Sequence, residues 1–330
     1  MQFGEVLNMP ATVTHAYFAK DVYEILPSSI SEQFEFSRLK MFAQGVDSTM
    51  FYNLFSIFPG KDIRKFQKYF HTHKSQEFFI KYLQYMKDNQ IHDKDTYAFL
   101  VGFLCHFCLD SNVHPYIFYK TGVMKKGYPT TYKYNHAHTF MEVFLDNDMI
   151  RRREKVNPYT FDFISYCFDT RPFSESLKGA IRYSFYNTFK IRDMDIIYYK
   201  SLKQMKTALC LFRRDPYGIK KIIYKMVDSI TPRSVFRFEA ISYHYPLEDR
   251  HNYLNRNHSL WRNPTTYNMT SNESFIDLYL KALKQAKVLI CACFDYLDGK
   301  EIDLEQVIPN LSYVTGLDCN ISKELKYFDF

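Results

Sequence analysis

The chain has 330 residues, 46% hydrophobic and 24% charged, which is the composition of a globular protein. Only 10 Gly stand against 31 Phe and 28 Tyr, which disfavours a Gly-rich phosphate-binding fold or a turn-rich β-protein and points to helices packed through large side chains. The formal charge of +7 is scattered along the chain, so nucleic-acid binding is only weakly suggested, and a mildly basic face suits a phosphate-bearing substrate or an anionic lipid surface as well.

The first residues, MQFGEVLNMPATVTH, lack a basic stretch followed by an apolar core, so no secretory signal is expected. A first helix is predicted to start at Thr14 as N-cap and to run through Phe18, Val22 and Leu26 to Pro27. A second precedes Gly45, and a third covers Gln76 to Met86. The fourth starts near Lys94 or Asp95 and is apolar nearly all round, which predicts a central, buried helix ending near His114-Pro115. Its longest apolar stretch, 97–109, contains His106 and falls short of the roughly 20 residues that span a bilayer. A loop over Gly127 to Asn135 follows, then a helix from His138 to Met149.

The second half continues with helices over Ser174–Thr188, Met194–Leu211, Tyr217–Asp228 and Glu273–Leu297, and a loop-like region over Thr231–Asn272. With no useful β-alternation, internal repeat or linker, the chain reads as a single all-α domain over 1–330. Residues 9–150 form a metal-binding half and 151–330 a supporting half. The seven Cys lie mostly in apolar runs without metal spacing and read as buried free thiols of a reducing compartment. The expected location is therefore cytoplasmic.

Histidine placement carries the chemistry. His106 and Asp110 are four apart on the central helix, and His138 and Glu142 repeat that spacing on the next. On an α-helix such pairs share one face and can reach one ion. Zinc accepts imidazole nitrogen and carboxylate oxygen. A carboxylate in YAFLVGFLCHFCLD needs compensation, because an unpaired buried charge costs several kcal/mol. A cation is one answer; a His106–Asp110 hydrogen bond or a distant Arg is another. His114, four residues after Asp110, adds a third imidazole, and the combined set favours metal.

These residues resemble the zinc-dependent phospholipase C family, related to secreted phosphatidylcholine-cleaving enzymes and to zinc-dependent single-strand nucleases. The likeness rests on Thr14-His15-x-x-Phe18-Ala19, Gln44-Gly45-Val46-Asp47, His71 before Phe78, His106-x-x-x-Asp110, His114-Pro115-Tyr116 and His138-x-x-x-Glu142-x-x-x-Asp146. Trp261-Arg262-Asn263-Pro264 followed by Ser274-Phe275 resembles the tail of intracellular Firmicute-type members. The resemblance implies an all-α fold of that type and two or three Zn2+ ions. Asp47, His71, His106 and Asp110 would hold one, His114, His138 and Glu142 a second, and His15 with a bridging Asp110 a third. Secreted members complete the third with an amino-terminal Trp that this sequence lacks, and their spacing between the counterparts of Asp110 and His114 is longer.

Other readings compete at single positions. His15 alone reads as a core His, Asp47 as a turn residue, and His73 rivals His71. His136 reads as a loop residue near the site, and His92, His244, His251 and His258 as surface residues. Lys125 and Lys126 read as a solvated loop. The expected activity is hydrolysis of a phosphate ester, most simply release of a phosphorylated head group from a phospholipid with peripheral membrane contact. Asp47 would both bind zinc and take a proton from the attacking water. No G-x-S-x-G motif supplies a protein nucleophile. The alternatives are a phosphodiesterase or nuclease on single-stranded nucleic acid, and a non-catalytic metal-stabilised or lipid-binding protein.

Overall fold

The computed structural model describes residues 11–54, 63–125, 127–213, 215, 217–232, 237–241, 243, 249, 251–321 and 324–329. The positions of His244 and Lys126 lie outside them. Helices dominate: α1 Thr12–Ile25, α2 Ser28–Ser31, α3 Phe36–Phe42, α4 Arg64–Phe70, α5 Ser75–Asp88, α6 Lys94–Thr121, α7 Ala137–Glu154, α8 Phe163–Cys167, α9 Glu175–Phe189, α10 Met194–Phe212, α11 Ile219–Ile230, α12 Phe275–Leu297 and α13 Leu304–Val307. Their apolar faces join one core that runs from Val13 to Tyr313. The fold is all-α, and its described strands are β1 Trp261–Arg262 and β2 Thr270–Ser271, an antiparallel pair in the region read as loop.

Helix α6 is the axis of the fold. Asp93 caps it, accepting from the Thr96 N–H at 3.0 Å and the Thr96 hydroxyl at 2.7 Å. The same carboxylate accepts from Ser174 Oγ at 2.7 Å, and Ser174 in turn caps α9, so two helix starts are tied together. Helices α1, α3, α7, α9 and α12 all pack on α6. By length and composition α6 could cross a membrane, which the sequence reading had excluded, but 94% of its most apolar stretch is buried inside the protein. A bidentate pair from Arg38 to Asp95, both bonds 2.7 Å, fixes α3 against the start of α6.

Two boundaries differ from the expectations for a physical reason. Helix α1 starts at Thr12, and Thr14 lies inside it; the cap comes from Asp146 of α7, which accepts from the Thr14 N–H at 2.7 Å and its hydroxyl at 2.8 Å. Helix α6 does not end at His114 but continues through Pro115 to Thr121. Pro115 cannot donate to the Ser111 carbonyl. Gly316, with φ +64°, packs against that carbonyl so closely that a Cβ would sit 2.5 Å from it. The stretch 127–135 contains a 3-10 turn at Pro129–Tyr134 rather than being all loop.

Candidate metal centre

Because α6 continues past Pro115, His106, Asp110 and His114 lie on one face over two turns. The Asp110 carboxylate sits between imidazoles: Oδ2 is 3.3 Å from His106 Nε2 and 3.6 Å from His114 Nδ1. From α1, His15 Nε2 reaches Asp110 Oδ1 at 3.3 Å. Asp47 comes from a 3-10 segment, Gly45–Phe51, held by α10 and α6. Gly45 adopts φ +53°, and a Cβ there would sit 2.3 Å from the His106 ring, so the approach of this segment demands glycine. Asp47 Oδ2 is 3.9 Å from His106 Nε2. His71, the residue that ends α4, places Nε2 at 3.2 Å from Asp47 Oδ1 and 3.3 Å from His106 Nε2. On α7, His138 Nε2 is 3.2 Å from Glu142 Oε1, which is 4.0 Å from His114 Nε2.

All eight side chains thus fall in one contiguous cluster with two foci. Ligand atoms of His15, Asp47, His106 and Asp110 lie within 4.8 Å of one another, and so do those of His114, His138 and Glu142. His15 joins the focus of Asp47 and His106, and His71 stands beside it. The first focus is fully enclosed, whereas the His138 side chain is 14% exposed and marks the solvent edge of the second.

Burial sets the charge state. It lowers His15 and His71 to about 3 and holds His106 and His114 well below the ordinary imidazole value, so all four are neutral near pH 7. Burial raises the Asp47 carboxyl to about 7, opposed by the hydrogen bond from Gln67. Asp110 is driven well above its normal range by burial and then by the charges of Asp47 and Glu142. Among the described side chains no Lys or Arg pairs with Asp47, Asp110 or Glu142.

A cation fits this donor set. Asp110 Oδ2 and Glu142 Oε2 are buried and accept no hydrogen bond among the described residues. Two donors on one tetrahedral zinc, each about 2.1 Å from it, stand about 3.4 Å apart. The His15–Asp110, His106–Asp110 and His138–Glu142 separations of 3.2–3.3 Å are close to that edge. Neutral imidazoles and carboxylates are zinc's preferred nitrogen and oxygen ligands.

The sequence profile described as zinc-dependent phospholipase C matches residues 14–185, just over half of the chain. The chain belongs to the zinc-dependent phospholipase C family. No curated protein and no solved structure matches it. The matched span holds all eight side chains of the cluster and ends inside α9.

Two groups that position the cluster of this zinc-dependent phospholipase C family member lie outside the ligand pattern of the sequence. Gln67, one turn before His71, donates from Nε2 to Asp47 Oδ1 at 2.7 Å and lies 2.9 Å from His71 Nδ1; its i, i+4 spacing to His71 was the available signal. Tyr313 lies outside the matched span. Its N–H donates to the His71 carbonyl at 2.8 Å, and its ring packs on those of His71 and His106. The Tyr313 carbonyl accepts from His114 Nδ1 at 3.1 Å, which leaves the His114 Nε2 lone pair facing Glu142. No spacing pattern announces Tyr313, because irregular chain brings it home from the far end of the sequence.

The remaining candidates fall outside the cluster. His73 is exposed and stacks on Tyr69. His92 is exposed beside the Tyr97 hydroxyl, His258 contacts Asp277, and His251 lies against Tyr253. His136, read as a loop residue near the site, immediately precedes α7 with φ +59° and is buried, and burial lowers it to about 4. Lys125 is exposed and pairs with Glu324. All seven cysteines are free, and none joins either focus.

Proposed function

We propose that the protein is a zinc-dependent phosphoric ester hydrolase that releases a phosphorylated head group from a phospholipid, leaving diacylglycerol. The observation that carries this reading is the Asp110 carboxylate, buried between neutral imidazoles with an oxygen that no proton donor among the described residues satisfies. In this reading His15, Asp47, His106 and Asp110, with His71 beside them, hold zinc at the enclosed focus, and His114, His138 and Glu142 hold zinc at the other, giving at least two ions. Bound zinc supplies a water of lowered pKa and positive charge against the phosphoryl oxygens. The focus with three protein ligands leaves a position for a further ligand and lies at the solvent edge, so it suits substrate entry. Asp47 has Oδ1 occupied by the Gln67 amide, which leaves Oδ2 to take a proton. The Tyr313 carbonyl holds His114 in one tautomer, and the enclosing aromatic rings exclude bulk water.

The test is zinc content by elemental analysis together with phosphorus NMR of phosphatidylcholine hydrolysis. The expected outcome is stoichiometric zinc and appearance of phosphocholine. Protein that holds zinc stoichiometrically yet cleaves neither phosphatidylcholine nor a simple aryl phosphodiester would overturn the enzymatic reading.

A further inference from the structure

Helix α11 is amphipathic in the reverse sense from the rest of the fold. Its protein-facing side is polar and aromatic. The Asp228 carboxylate accepts from the N–H groups of Phe238 at 2.9 Å and Glu239 at 2.8 Å. Tyr224 packs against Phe238 with the rings tilted by 36° and donates to the Phe212 carbonyl at 2.9 Å. The opposite side displays Ile219, Ile222, Ile223, Met226 and Ile230, a single stripe at helical spacing, each more than half exposed. Tyr217, ahead of the helix, and Leu211 at the end of α10 extend the apolar surface. Isolated exposed apolar side chains are ordinary, but a contiguous stripe of this kind marks a contact surface.

Charge points to its occupant. Lys225 lies on one flank of the stripe and Lys220 on the other, bonded to the Leu211 carbonyl, while Lys221 sits toward the Asp228 face. The protein as a whole is positive. Lysines bordering an apolar stripe are the pattern of a helix lying in the plane of an anionic bilayer surface, where the stripe enters the acyl boundary and the ammonium groups meet phosphates.

The position relative to the metal centre agrees. Helix α11 packs on the 3-10 turn Phe238–Ile241, which packs on α7. Asp228 is near enough to His136 for its charge to act there, and His136 stands two residues before His138, the more exposed ligand. The stripe therefore lies on the element adjoining the end of α7 where the second focus opens.

We infer that α11 is a membrane-docking helix that lays Ile219, Ile222, Ile223, Met226 and Ile230 into an anionic phospholipid surface. The inference rests on the hydrolase reading only for its purpose, since docking needs no turnover. The test uses the zinc-loaded full chain and vesicles of phosphatidylcholine alone or mixed with phosphatidylglycerol, with partitioning read by flotation. Wild type is expected to partition onto the mixed vesicles and less onto the neutral ones. The double variant Ile222→Ser/Met226→Ser should partition about tenfold more weakly or worse. Lys220→Gln/Lys225→Gln should lose the preference for the anionic lipid. Hydrolysis of a short-chain, monomeric phosphatidylcholine should be unchanged in both, because these residues lie outside the metal centre. Wild type that ignores both vesicles, or a serine variant that binds as well as wild type, overturns the inference whatever the turnover. A wild-type dimer abolished by the serine pair, without vesicle binding, also overturns it and assigns the stripe to a second copy. Vesicle binding through α11 without cleavage of any phosphodiester sinks the hydrolase reading and leaves the docking helix standing.

Discussion

Two buried carboxylates on neighbouring helices, Asp110 of α6 and Asp146 of α7, have had opposite surroundings built for them. Both are at most 2% exposed. Both sit in the same sequence pattern, a chain of i, i+4 polar residues on a buried helix face. Asp146 is met by proton donors: the Thr14 N–H at 2.7 Å, the Thr14 hydroxyl at 2.8 Å, the Tyr243 hydroxyl, and Arg213 at 3.5 Å. Asp110 is met by the nitrogens of neutral imidazoles, and among the described residues its Oδ2 accepts no hydrogen bond. The difference teaches that burial and spacing do not identify a ligand; the kind of atom facing the carboxylate does. Donors make a structural node, whereas a buried carboxylate oxygen left unbonded beside neutral imidazoles makes a cation site.

Exchanging each carboxylate for its amide should separate the two. Asp110→Asn is expected to lower phosphodiester hydrolysis about a thousandfold or more, a change of about 4 kcal/mol, because an uncharged amide removes the charge that balances the metal. Bound zinc, counted by elemental analysis, should fall with it, while the helical circular dichroism stays. Asp146→Asn should do the reverse. It takes from Arg213 a charge partner in a region with no exposure, a loss of about 3–5 kcal/mol in urea unfolding, with zinc stoichiometry retained in the folded fraction. If Asp146→Asn loses zinc at full stability, the distinction between the nodes fails.

How much of this was legible in the sequence follows from the same distinction. The helices were legible because their apolar spacing repeats locally, and the ligand pairs on α6 and α7 were legible because one helix fixes both partners. His15, Asp47 and His71 come from separate elements, so only the likeness to a known family could place them beside Asp110. The donors to Asp146 were not legible. Arg213 and Tyr243 lie far along the chain, and nothing in HxxxExxxD says that its last member caps α1 instead of binding metal. The run-on of α6 through Pro115 was missed because a proline ends most helices, and Gly316, which packs against the Ser111 carbonyl there, lies some 200 residues away.

The comparison sharpens at Gln67, which serves the metal node as Thr14 serves the structural one. Its amide donates to Asp47 and lies against His71 Nδ1, while His71 Nε2 faces His106. Gln67→Ala should leave the fold intact and weaken zinc binding about 10- to 100-fold, the usual cost of removing a group that orients a ligand. Competition with a chromophoric chelator measures it. Gln67→Glu, which keeps a side chain in reach but cannot donate from an ionised carboxylate, should not restore the affinity.

The smallest effect is on acid stability, and its sign is fixed by which node dominates. In metal-stripped protein His15 and His71 titrate at about 3 in the fold against 6.5 in the unfolded chain, and His106, His114 and His136 are lowered in the same sense. A group with a depressed folded value contributes stability that is present above its unfolded value and lost as pH falls. Asp47, Asp110 and Asp146 are raised by burial and act oppositely, losing their contribution as pH rises. Between pH 6.5 and about 4, five imidazoles outweigh three carboxyls, so the unfolded chain binds more protons than the folded one. Thermal melts in chelator should therefore fall in Tm on acidification through that window. His15→Asn/His71→Asn should flatten the slope, because two of the neutral imidazoles are gone, whereas a substitution at Asp146 should leave the slope positive while lowering every Tm. A Tm that is flat or rises toward pH 4.5 in wild type would mean that the histidines facing Asp110 are not held neutral, and the contrast between neutral imidazoles around Asp110 and bonded donors around Asp146 would have to be given up.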